Sequence, residues 1–326
     1  MKLISIVTPC YNEEGNVEEL HAQVKAILEQ YPNYRYEHIF IDNASKDKTV
    51  EILKKIAEKD SNVKIIVNSR NFGHIRSPYY GLLQAKGDAV ISIVSDLQDP
   101  PEMIKEFIHQ WEQGYKIVIG VKPESEESWL MFTIRRLGYY WIGRIADVQL
   151  IKNFTGFGLY DKEVINVLRS YDDPYPYFRG MIADIGFDIA RIPYNQPKRK
   201  HGITKNNFYT LYDIGMLGIT SYPKIPLRLA TMAGFFLATL SLIFSVFFLI
   251  YKIIYWNRFD TGMAPILIGF FFFSSVQLFF IGLLGEYIAS INTRVMKRPL
   301  VVEKERVNFE NNKKNPVLVN EQCTTI

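Results

Sequence analysis

Two long stretches without a charged side chain, Leu229–Tyr251 and Thr261–Gly285, constrain this chain more than any other feature. Each exceeds the roughly 20 residues that a helix needs to cross a bilayer. The alternative is a helical hairpin buried on all sides of a soluble core. The connection, Lys252–Asp260, carries Tyr255 and Trp256, as an interfacial aromatic belt would. Lys224 and Arg228 precede the first stretch, and Arg294, Lys297 and Arg298 follow the second; only Lys252 and Arg258 lie between. That bias expects both ends on the cytoplasmic side. The opening MKLISIVTP runs straight into a strand pattern and lacks a signal peptide's long apolar core. The expectation is a multi-pass protein of the inner (plasma) membrane, with its soluble part and both termini cytoplasmic.

The rest of the chain is mixed and charged. Its net charge of +4 is too mild for a nucleic-acid binder and better suits an anionic membrane surface. Cys10 and Cys323 are the only cysteines and lie far apart, so neither a disulfide framework nor a zinc site is indicated. Short apolar runs at Leu3–Thr8, Tyr36–Ile41, Val63–Val67, Ala89–Val94 and Lys116–Val121 read as strands. Helical spacing falls between them, and a further helix is expected at Ser128–Ile145. This alternation argues for an α/β fold with a parallel-rich, doubly wound sheet. No Gly-x-Gly-x-x-Gly follows the first strand, which weakens a dinucleotide-binding reading.

Four regions follow. Residues 1–205 form the α/β domain, and 206–228 an aromatic-rich amphipathic segment suited to a membrane surface. Residues 229–298 hold two spans, and 299–326 read as a polar, flexible tail. Cutting the chain before Leu229 is therefore expected to leave a soluble domain.

The chemistry concentrates in Ile91–Glu102, ISIVSDLQDPPE. A buried strand ends in Asp96, Gln98 and Asp99, and Pro100-Pro101 stops it before a helix. Oxygen ligands at the carboxyl end of a central strand lie where open α/β sheets bind ligands. They suit Mg²⁺ or Mn²⁺, the ions that accompany nucleotide diphosphates. The same residues would also serve as a solvated strand-to-helix turn.

These pieces together resemble glycosyltransferase family 2, and within it the polyprenyl-phosphate glycosyltransferases: dolichol-phosphate mannose synthases and bactoprenol glucosyltransferases. The resemblance rests on IVTPCYNEEGNV, Ser69–Gly73, SDLQDPPE and the two spans ending in GLLGEYI. It implies a GT-A fold that transfers a sugar from a nucleotide-sugar, expected to be a UDP-sugar, to polyprenyl phosphate with inversion, for envelope polysaccharide modification. By motif, Pro9, Tyr11, Glu13 and Asn71 would border the donor, and Asp42 would meet its base. Lys122 would lie near the phosphates. Asp96 and Gln98 match the metal-binding segment. Arg199 and Lys205 fall in a basic loop that relatives close over donor and acceptor, and with Asp96 they are the catalytic candidates. The lipid bilayer is an implied partner, and self-association stays open.

Three departures from the family pattern matter. Val94 stands where an acid is usual, Thr155-Gly156-Phe157-Gly158 stands for Gly-Asp-Phe-Arg, and Asp42-Asn43 replaces the usual pair after the second strand. They motivate an alternative, a degenerate relative that binds nucleotide-sugar or lipid as a scaffold. A pore-forming polysaccharide synthase is a further alternative, but two spans are few for a pore and no Gln-x-x-Arg-Trp motif occurs.

Overall fold

The computed structural model describes residues 1–122, 151, 153–197, most of 232–255, and 263–309. The expected helix at 128–145, the amphipathic segment 206–228, Arg199, Lys205 and the chain beyond 309 lie outside the described residues.

The first half alternates as its apolar runs require. Strands β1 (Lys2–Cys10), β2 (Tyr34–Asp42), β3 (Val63–Asn68), β4 (Ala89–Ser92) and β5 (Ile117–Val121) are separated by helices α1 (Val17–Leu28), α2 (Thr49–Lys59), α3 (Gly73–Gln84) and α4 (Met103–Glu112). Then come β6 (Phe154–Asp161), α5 (Lys162–Ser170), α6 (Phe178–Asp184), β7 (Ile189–Pro193), the long helix α7 (Met263–Val295) and β8 (Glu303–Val307). The eight strands form one sheet in the order β7-β5-β6-β4-β1-β2-β3-β8. Strands β4, β1, β2 and β3 are parallel. Helices cover both faces of this part, which is why its strands are almost continuously apolar.

The sheet is more mixed than the alternation suggests. Strand β6 runs antiparallel to β4 and to β5, so the order reverses beside β4. Two glycines shape β6. Gly156 has φ +107°, and a Cβ on Gly158 would stand 2.4 Å from the Val118 carbonyl oxygen of β5. An acid at 156 would be strained and an arginine at 158 would collide with the neighbouring strand. The backbone that this strand adopts thus suits the glycines present and not the acid and arginine of the family pattern.

Residues 299–309, the first part of the tail expected from 299 to 326, are instead part of the fold. Strand β8 closes the sheet antiparallel to β3. Its approach is fastened: Ser69 N–H donates to the Val302 carbonyl at 2.9 Å, and Asn308 donates to the carbonyls of Ala57 and Val63. Tyr80 donates to Glu303 at 2.8 Å, and Lys54 pairs with Glu305 at 2.7 Å. The segment reads as polar because an edge strand faces water along one side and carries charges there.

From Met263 onward the second apolar stretch lies within α7, which continues past Gly285 through Glu286 and Arg294. Phe272–Val295 is the one described helical stretch long and apolar enough to cross a membrane, with mean hydropathy 1.5 and only 6% of it buried. The first stretch falls partly outside the described residues; those described between Met232 and Ile254 are helical.

Candidate active site

Strand β4 leaves the sheet two residues earlier than its apolar run implies. Ile93 N–H still donates to the Val7 carbonyl at 3.1 Å, but from Val94 the chain turns. Ser95 Oγ bonds the Pro9 carbonyl at 3.1 Å, tying this turn to the end of β1. Leu97 closes it at φ +58°, a left-handed conformation that costs a branched residue about 1 kcal/mol. Its side chain is buried in the core between the sheet and α4, which holds it there. Backbone strain of this kind collects at binding sites. As a result Asp96 and Gln98 project from a turn, with Asp96 Oδ1 accepting the Gln98 N–H at 3.1 Å.

The turn borders a cavity of about 300 Å³ at the carboxyl end of the sheet. Pro9, Asp96, Gln98 and Lys122 share it, together with Val94, Asp99 and Thr155-Gly156-Phe157. The rest of its wall comes from Ser92, Gln196, α3 and Pro176–Arg179. Val94 is 39% exposed, so this position faces the cavity and not the core.

Asp99 has a supporting place. It is 4% exposed, its Oδ1 accepts from the Tyr194 hydroxyl at 2.9 Å, and its Oδ2 lies 3.5 Å from the Val94 N–H. Burial first, then the neighbouring Asp96 charge, raises its pKa to about 6, against the lowering effect of the Tyr194 bond. Tyr194 is itself held edge-on by Phe157, which also packs on Phe107. A buried aromatic chain thus fixes the turn from beneath. Half-burial lowers the pKa of Lys122, while Asp99 and Asp96 pull it back up. Lys122 is therefore a desolvated cation facing two carboxylates.

The other donor candidates lie at the same carboxyl end of the sheet, Asp42 as the last residue of β2 and Tyr11, Glu13 and Asn71 on neighbouring loops. They do not line this cavity. Glu13 holds its own loop: its Oε2 accepts from Asn16 at 2.6 Å and its N–H donates to Thr49 Oγ1 at 2.8 Å. Tyr11 is half-buried beside it. Asp42 is fully buried, with Ser45 N–H donating to it at 3.0 Å, and burial raises its pKa. This carboxylate shapes the turn after β2.

Asn43 is the residue that sequence reasoning passed over. Its Oδ1 accepts from the Phe72 N–H at 2.8 Å and from Asn68 at 3.2 Å. Its Nδ2 donates to Asn71 Oδ1 at 3.0 Å and to the Gly73 carbonyl at 3.1 Å. Asn71 Oδ1 also accepts the Gly73 N–H at 2.8 Å. One amide at the end of β2 thus sets the Asn71-Phe72-Gly73 loop and the start of α3, a cavity wall. Asn43→Ala leaves several buried groups unpaired and is expected to cost about 2–3 kcal/mol. Thermal melting checks this, and an unchanged midpoint would show that the loop holds without it.

The donor set bears on a metal. Asp96 and Gln98 offer hard oxygens, Val94 offers none, and both Asp99 oxygens face protein donors. Among the described residues no group of three or more His, Cys, Asp or Glu could hold a metal ion. Such a set does not fit an ion caged by protein. It fits a Mg²⁺ or Mn²⁺ that takes most of its ligands from phosphates and water.

Comparison with known proteins follows the same lines. Residues 5–166 match the family described as glycosyl transferase family 2. An uncharacterized glycosyltransferase of Synechocystis is 34% identical over 298 residues, 91% of this chain and 93% of that protein. The SfII prophage-derived bactoprenol glucosyl transferase of Shigella flexneri is 32% identical over 303 residues, 93% of this chain and 97% of that protein. Among solved structures, glucosyl-3-phosphoglycerate synthase of Mycobacterium tuberculosis overlaps 68% of this chain and 80% of its own, at 16% identity and a TM-score of 0.46.

Proposed function

Because the chain belongs to glycosyl transferase family 2, we propose that this glycosyltransferase moves a sugar from a UDP-sugar to polyprenyl phosphate at a membrane, with inversion. The observation that carries the reading is the meeting of Asp96, Gln98 and Lys122 in one cavity at the carboxyl end of the sheet. The similarity to bactoprenol glucosyl transferases over nearly the whole chain supports a lipid-phosphate acceptor.

The chemistry asks little of the protein beyond placement. A phosphate monoester has a second pKa near 6, so its oxygen is largely ionised at pH 7 and needs no general base. Its oxygen attacks the anomeric carbon in line, and the bond to the donor diphosphate breaks with its electrons on the diphosphate. Lys122 lies where it can stabilise that charge at the cavity. Asp96 and Gln98 would hold the divalent cation, which when bound neutralises the diphosphate. Arg199 and Lys205, which lie outside the described residues, enter the same scheme as further positive charge for the phosphates. Their replacement by Ala should slow turnover more than it lowers stability, which turnover and melting measured together would decide.

Helix α7 supports the membrane setting. Phe270, Leu278, Phe279 and Ile288, on different sides of the helix, are each more than 60% exposed, more apolar surface than a soluble protein keeps uncovered. With both apolar stretches as spans and segment 206–228 at the surface, the catalytic domain and both termini stay cytoplasmic. The full chain is expected to remain in the membrane fraction through a carbonate wash; its release would remove the spanning assignment. The function itself is tested by radiolabelled transfer to undecaprenyl phosphate, starting from UDP-glucose and extending across nucleotide-sugars. Product expected is a lipid-linked sugar. A wild-type chain that binds UDP yet transfers nothing would instead be the scaffold.

A further inference from the structure

The segment Asp172–Gly180 contributes Pro176, Tyr177, Phe178 and Arg179 to the cavity wall, and its backbone is braced from two sides. On the core side, Phe178 packs edge-on against Tyr79 and Tyr160, with ring centroids 6.2 and 5.3 Å apart. On the other side, Asp173 meets Arg294 at 3.4 Å and Asp172 meets Lys297 at 3.1 Å. Arg294 lies in the last turn of α7 and Lys297 just beyond it. The wall is thus tied to the end of the apolar helix.

Arg179 stands on this braced wall and is exposed. Among the described residues its guanidinium has no hydrogen bond and no ion pair, in contrast to the paired Arg294 and Arg306. It is near enough to Lys122 to disfavour that residue's charge. Two cations therefore approach one cavity from different walls, Lys122 from the end of β5 and Arg179 from the segment that α7 holds.

We propose that Arg179 binds the phosphate monoester of the lipid acceptor, leaving Lys122 to the donor diphosphate. This rests on the polyprenyl-phosphate reading above. A guanidinium presents a planar fork that matches phosphate oxygens two at a time. Its neighbours on the wall, Pro176, Tyr177 and Phe178, offer apolar surface to the first isoprene units. An acceptor held there has its phosphate on the wall tied to α7, whose exposed apolar side can receive the rest of the tail. The donor is left to other elements, Lys122 at the end of β5 and the turn after β4.

The test is equilibrium binding by the full chain in detergent micelles, with farnesyl phosphate as the acceptor probe and UDP with Mg²⁺ as the donor probe. Arg179→Ala is expected to weaken farnesyl phosphate at least tenfold, leave UDP affinity unchanged, and leave the melting midpoint unchanged because the side chain is exposed. Arg179→Lys should recover part of the loss. Lys122→Ala should show the opposite pattern. Equal affinity of wild type and Arg179→Ala for farnesyl phosphate overturns the assignment. So does an equal loss of UDP, or wild-type binding of farnesol as tight as that of farnesyl phosphate. None of these readouts needs turnover, so failure of wild-type transfer to undecaprenyl phosphate would count against the function and not be confused with failure of the Arg179 assignment.

Discussion

Asp96→Asn is expected to lower sugar transfer by at least about 100-fold while leaving the domain folded. The substitution keeps the shape of the side chain and its acceptor for the Gln98 N–H, so the turn after β4 should hold. What it removes is the carboxylate charge at the cavity. With Val94 beside it and both Asp99 oxygens facing Tyr194 and the Val94 N–H, no second described acid on this turn can replace that charge. Metal-dependent UDP-sugar binding, measured by calorimetry, should fall with the activity. The cation should bind weakly alone and far better with nucleotide diphosphate, because the phosphates supply most of its ligands. Val94→Asp gives the complementary result. The position is exposed to the cavity, so the added carboxylate is not buried and should tighten the metal. Wild-type binding and turnover that survive EDTA unchanged would remove the cation and leave Lys122 and its basic neighbours to stabilise the diphosphate.

Ending the chain at residue 228 is expected to abolish the soluble, folded domain. Such a truncation removes α7 and, with it, β8 and the fastening of residues 299–309. Strand β3 then loses its antiparallel partner and presents Val63–Asn68 as an open edge. Val307 leaves the cluster of Phe40, Leu53, Val63 and Ile65, and the buried Val301 loses its place. A few ladder hydrogen bonds at about 1 kcal/mol net each, with apolar side chains at roughly 1.5–3 kcal/mol each, sum to on the order of 5 kcal/mol. Domains of this kind have only about 5–15 kcal/mol in total. Soluble yield and thermal melting check the expectation. Joining residues 299–309 to residue 228 through a flexible linker should restore the fold, because β8 then pairs without the apolar helix. A truncated chain that melts as sharply as the rescued one would show the strand to be dispensable.

The α/β class, the parallel strands β1 to β4 and the location of Asp96 and Gln98 at a strand end were legible in the sequence. Apolar runs flanked by turn residues are local signals, and a strand buried on both faces cannot hide its composition. The long apolar helix α7 was legible too, because an apolar run of that length is itself a local signal. Pairing partners were not. Strand β8 is a charged run whose apolar positions have meaning only against β3, hundreds of residues earlier, and sequence periodicity carries no record of such a partner. The same holds for Asn43, whose four side-chain hydrogen bonds reach the end of β3 and a loop that the fold alone brings beside it. It holds again for Gly158, which reads as a lost arginine until the Val118 carbonyl appears 2.4 Å from where its Cβ would be. Chemistry that depends on one residue type at one strand end is written locally. Which walls close around it is decided by contacts between distant segments, and those exist only once the sheet has formed.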